Sequence, residues 1–170
     1  LHSDETLPGP LYLQGDHTSV SYRNIVLTPV LTSIPSVGEW PQAAGPTGNF
    51  ITQGNAPKQF SGATGDNVKW RVPLPNTGQS AAIISGGRIF VTSHEPITQD
   101  TQTGAAILGL CFDAETGEEL WRRTIPGTRE TDLSSLFNDN TAYSPVADGK
   151  RVIFINVGGT VKCFDYNGEE

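Results

Sequence analysis

An all-β fold, organised as a partial β-propeller of about two blades, is predicted by three observations. The 170 residues include 19 Gly and 12 Pro but no Met, a composition suited to many short strands joined by turns. The apolar residues fall in runs of four to eight that are rich in Val, Ile and Phe and bounded by Gly, Asn and Asp. Third, the chain repeats itself. Leu110-Cys111-Phe112-Asp113, closed by Gly117-Glu118-Glu119, returns as Lys162-Cys163-Phe164-Asp165, closed by Gly168-Glu169-Glu170 after a shorter turn. Upstream of each copy, Ile83–Val91 is matched by Val146–Phe154. A repeat of roughly 50 residues made of strands and turns describes a small sheet that cannot bury both faces alone and must stack on its neighbours.

Three regions follow in order: 1–34, 35–66 and 67–170. In the first, Pro8-Gly9-Pro10 signals a loop, Leu11–Gln14 a short strand, Gly15–Thr18 a polar turn and Ser19–Val30 a longer strand. The second region is rich in Pro, Gly, Ser, Thr, Asn and Gln and reads as linker and lead-in. A free linker has little use for Trp40, so that indole is expected to dock on the propeller and pin the entry loop. In the third, Val68, Trp70, Val72 and Leu74 alternate with charged residues and Pro, which predicts a half-buried strand completing the last blade.

Blade one is predicted from Ser80–Ile84, a turn at Gly86-Gly87, Arg88–Thr92, Ile107–Phe112 and Glu119–Thr124. Blade two is predicted from Ala142–Val146, a turn at Asp148-Gly149, Arg151–Asn156, a turn at Gly158-Gly159 and Thr160–Asp165. Asp113 and Thr116 carry short side chains that can bond nearby amides, and Gly117 can adopt the positive φ that closes such a turn. Asp165 and Gly168 repeat the pattern, and Trp121 stands on the returning strand, where its indole needs a packed surface. The 93–106 loop holds His94, Glu95 and Asp100, whose spacing fits no metal-ligand pattern, and is read as a solvated insertion. Cys111 and Cys163 occupy equivalent repeat positions, too far apart for a disulfide, and are expected to be buried thiols.

Function classes narrow on composition. A net charge of −7 and a pI near 4.9, with no cluster of Lys and Arg, exclude a duplex-binding surface. There is no long apolar run to span a membrane. The glycines fall at strand turns, not between a strand and a helix, so a nucleotide-binding loop fails its context. The chain starts and stops inside patterns, so a portion of a longer protein is expected.

Two resemblances extend this reading. Asp113-x-x-Thr116-Gly117-x-x-x-Trp121 resembles the repeat of the pyrroloquinoline-quinone-type (PQQ-like) β-propellers, and Glu39-Trp40-Pro41…Gly45-Pro46 is similar to the lead-in before such propellers; together they cover about Trp40 to Glu170. The family implies a Trp that docks on the adjacent blade, and a function in scaffolding or binding. Gly9–Ile25 resembles the closing strands of the 3-keto-disaccharide hydrolase-like jelly rolls. That resemblance implies a β-sandwich remnant over 1–34, a carbohydrate-processing parent protein in the periplasm, envelope or extracellular space, and Gln14, His17 and Arg23 as sugar contacts. The bland readings are a turn His, a strand-edge Arg and a satisfied inward Gln. No catalytic, cofactor or metal site is assigned. The expected partners are the remaining blades and jelly-roll strands, with carbohydrate as a possible ligand. The alternative is a quinoprotein dehydrogenase, which would require PQQ and Ca²⁺.

Overall fold

The computed structural model describes residues 38–51, 57–95, 106–128 and 140–170. These residues form two antiparallel sheets. The first runs β1 (Ile83–Ser85), β2 (Arg88–His94), β3 (Ile107–Asp113) and β4 (Glu119–Ile125), in sequence order. The second runs β5 (Val146–Ala147), β6 (Arg151–Asn156) and β7 (Thr160–Asp165). Register repeats between them: Arg88 faces Asp113 and Phe90 faces Cys111 in the first, while Arg151 faces Asp165 and Ile153 faces Cys163 in the second. The sheets are successive blades of a partial propeller, and the all-β expectation holds.

Period-two patterning decides how the blades stack. One face of blade one presents Ile83, Phe90, Cys111 and Trp121 to Ala147, Val152, Phe154 and Phe164 of blade two, and all of them are buried. The rings interlock, with Phe90 and Trp121 centroids 5.9 Å apart, Trp121 and Phe154 6.2 Å, and Trp121 and Phe164 6.0 Å. These are favourable tilted and edge-to-face contacts, each worth about 0.5–1.5 kcal/mol beyond area burial. The opposite face of blade one, with Val91, Leu108, Leu110 and Phe112, is covered by Val72.

Several boundaries differ from expectation. β2 runs on to His94, because Ser93 and His94 pair with Leu108 and Ile107 and so leave the predicted loop. The inner strands are shorter than predicted: Ser80–Ala82 and Ala142–Pro145 are held by side-chain hydroxyls rather than by a ladder. Val68–Leu74 is not a strand. Val68, Trp70 and Val72 do alternate inward, but no described residue supplies a backbone ladder beside them and Leu74 is exposed. The expectation for Cys163 also fails. Cys111 is buried in the blade interface, whereas Cys163, its equivalent, is exposed because no described element packs on that face of blade two.

Candidate functional site

The blades have two unlike ends. At one end the strands reverse through Asp turns. Asp113 Oδ1 accepts from the Thr116 amide at 2.8 Å, the Glu115 amide at 2.9 Å and the Thr116 hydroxyl at 3.0 Å, while Thr116 Oγ1 accepts from the Glu118 amide at 3.2 Å. Asp165 Oδ1 accepts from the amides of Asn167 at 2.8 Å and Glu169 at 2.9 Å. A carboxylate that collects amide donors is stabilised in its charged form. The Thr116 amide, then its hydroxyl, holds Asp113 below the usual carboxylate range, and the Glu169 amide does the same for Asp165. Asp148, on the β5–β6 turn, is lowered to about 2 by the amides of Arg151 and Lys150 and then by the Arg151 guanidinium.

These turns receive the tryptophans. Trp121 donates its indole N–H to the Tyr166 carbonyl at 3.1 Å, and its ring lies over Gly168. Trp70 does the same one blade earlier, donating to the Ala114 carbonyl at 3.0 Å with its ring over Gly117. Ala114 and Tyr166 each follow the turn Asp, so the two docks are equivalent. Both glycines have φ values only glycine takes readily, +76° and +85°, and a Cβ on either would lie 2.7–3.1 Å from the ring. Trp70 therefore stands where the outer-strand Trp of a preceding blade would stand, although its segment is not in a sheet. Arg88 adds a second donor to the Tyr166 carbonyl, and Phe90 packs on the Tyr166 ring at 5.1 Å.

The other end is polar. Apart from Ser85, the buried polar side chains among the described residues gather here: Thr92, Ser93, His94, Asn140, Thr141 and Asn156. Thr141 Oγ1 accepts from the Gln79 amide at 2.8 Å, and Thr92 Oγ1 donates to the Thr141 carbonyl at 3.2 Å, so the lead-in of blade two is tied to blade one. Asn156 donates to the Ile125 carbonyl at 3.0 Å and accepts from the Gly158 amide at 2.7 Å. Ser93 and Asn76 exchange bonds of 3.0 and 3.2 Å. This lattice anchors the roots of the long 95–106 and 126–140 connections, and binding surfaces of rigid scaffolds are carried on such loops.

Asp113, Thr116, Gly117, Trp121, Asp165 and Gly168 thus lie at the turn end, as turn formers and members of the Trp docks. Gln14, His17 and Arg23 lie outside the described residues, as does Asp100. His94 is a buried strand residue, and Glu95 accepts from the Thr124 hydroxyl at 3.4 Å. Thr141, Asn156 and Arg88 were not singled out from sequence. Alignment of the two repeats marks Arg88, which recurs as Arg151, but gives no sign of Thr141, whose equivalent is Gly78. Ca²⁺ beside a quinone needs several oxygen ligands. Among the described residues no group of three or more His, Cys, Asp and Glu side chains could hold a metal ion.

Successive antiparallel sheets of four and three strands, stacked face to face and joined by a Trp dock, are the units of a β-propeller repeat. Residues 102–170 match the PQQ-like repeat family model described as outer membrane protein assembly factor BamB, a span that takes in both Asp turns. The chain therefore carries PQQ-like repeats over that span. No curated protein matches the chain. Among the described residues no helix is long and apolar enough to cross a membrane.

Proposed function

We propose that this chain supplies two blades of a larger, non-catalytic β-propeller that scaffolds or binds a partner through its polar loop end. The observation that carries the reading is the repeated dock, Trp70 on the Gly117 turn and Trp121 on the Gly168 turn. It makes blade one both the acceptor of Trp70 and the donor of Trp121 to blade two. By the same equivalence, Val146, Ile153, Val161 and Cys163 on the open face of blade two correspond to Ile83, Phe90, Gly109 and Cys111, which blade two covers in blade one. A further blade is the fitting cover. The matched family's description places its namesake in outer-membrane assembly, which supports an envelope or periplasmic setting here. A carbohydrate-processing parent protein, with Gln14, His17 and Arg23 near sugar, rests on the resemblance of Gly9–Ile25 alone.

The test is thiol alkylation of the isolated 170-residue chain and of the longest natural protein that contains it. Cys163 is expected to label in the former and resist in the latter. Equal, rapid labelling in both overturns the stacked-blade reading. Titration of the longer protein with pyrroloquinoline quinone and Ca²⁺ is expected to leave its visible spectrum that of free quinone, and a stoichiometric bound spectrum would replace the scaffold with a quinoprotein.

A further inference from the structure

The inner edges of β1 and β5 lie side by side, and one stretch of the chain bonds to both. Trp40 forms a two-way bridge with Ile84, its amide donating to the Ile84 carbonyl at 2.7 Å and its carbonyl accepting from the Ile84 amide at 2.9 Å. The next residue, Pro41, accepts from the Ala147 amide of blade two at 2.8 Å. The preceding one, Glu39, accepts from the Gly86 amide at 2.9 Å. Three consecutive residues therefore satisfy inner-edge amides on two blades. Strands of three and two residues expose few such groups, and open edges pair readily with any extended chain.

The strap is held by its own fold. The Trp40 indole donates to the Ala43 carbonyl at 3.3 Å and lies against Gly45, whose φ is +77° and whose absent Cβ would sit 2.9 Å from the ring. Gln42 and Gly45 exchange bonds of 2.9 and 3.0 Å, and the Phe50 amide closes the loop onto the Ala44 carbonyl at 2.7 Å. The strap is thus a compact loop lying on the blades, joined to their edges by four hydrogen bonds and by no ladder longer than one residue pair.

We propose that 38–51 is an axial plug, a displaceable strap that seals the inner edges of both blades together and keeps extended ligands off them. The inference rests on the reading of β1 and β5 as inner strands of successive blades. Ligands are consequently directed to the opposite, polar end. The strap opens as a unit, because one rigid loop carries all the contacts.

Native-state amide exchange of the intact chain in low urea tests this. The amides of Ile84, Gly86 and Ala147 are expected to exchange through one shared opening, at least tenfold faster than the Phe90 and Cys111 ladder amides. Exchange of these three only with global unfolding, or at three unrelated rates, overturns the plug. Gly45→Val, which drives a side chain into the indole, is expected to speed all three by tenfold or more and leave the β2–β3 ladder protected. Retained protection of Ala147 after Ile84 has lost its own overturns the coupling. If that variant does not fold, the wild-type urea series decides alone. Failure here with Cys163 shielded in the longer protein removes the plug and leaves the stacked-blade reading standing.

Discussion

A single turn carboxylate shows how a residue's hydrogen bonds become a pH dependence. Asp148 is charged down to about pH 2 when folded and has an ordinary value near 3.9 when unfolded. Its folded value is depressed, so its contribution is complete above about pH 4 and is lost as pH falls toward 2. Asp148→Ala is expected to lower the urea midpoint at neutral pH and to flatten its dependence on pH between about 4 and 2. An unchanged slope over that range would show the amide bonds to be idle. The cysteines give a second test at this scale. Burial pushes the Cys111 thiol up to about 11, partly offset by a hydrogen bond from Arg88, while Cys163 is exposed. A thiolate is the reactive species. Iodoacetamide at pH 8 is expected to modify Cys163 in the isolated chain and to reach Cys111 only after unfolding, as peptide mapping would show.

At the scale of elements, the Trp dock joins β4 of blade one to the β7 turn of blade two. Gly168→Val forces a β-branched residue to a φ of +85° and into the Trp121 ring. Left-handed strain alone is about 1–2 kcal/mol, and the displaced indole adds to it. Trp121→Ala should cost about 3–5 kcal/mol, as for other large aromatic deletions in cores. Both changes break one contact, so the double variant is expected to cost clearly less than the two together. Strict additivity in urea unfolding would mean that Gly168 and Trp121 act separately. The dock's residues were legible because the Asp113…Gly117…Trp121 phrase is local and its Asp and Gly recur at Asp165 and Gly168. The partner of each Trp was not, since it lies about 45 residues away on another blade.

For the whole molecule, the stack leaves one face of blade two uncovered among the described residues, with Val161 64% exposed and Val146, Ile153 and Cys163 beside it. A contiguous apolar sheet face promotes association. The isolated 170-residue chain is expected to sediment as concentration-dependent oligomers, and Val161→Lys to shift it toward monomer with an unchanged far-UV spectrum. A wild-type monomer at all concentrations would mean that the face is closed in solution.

What the sequence determined by itself is the periodic and local part of this protein: the all-β class, the repeat, the strands β2, β3, β4, β6 and β7 to within two residues, and the Asp turns. Alternation, β-branched runs and turn chemistry are short-range properties and can be read without coordinates. Tertiary structure decided the rest. It made Cys111 buried and Cys163 exposed although the two sit in matching phrases, because burial depends on what stacks above a position. It left Val68–Leu74 without a ladder partner among the described residues, because a strand exists only where a neighbour takes its hydrogen bonds. It also placed Glu39–Pro41 across the edges of two blades, a long-range contact between a polar lead-in and short inner strands that no local pattern encodes.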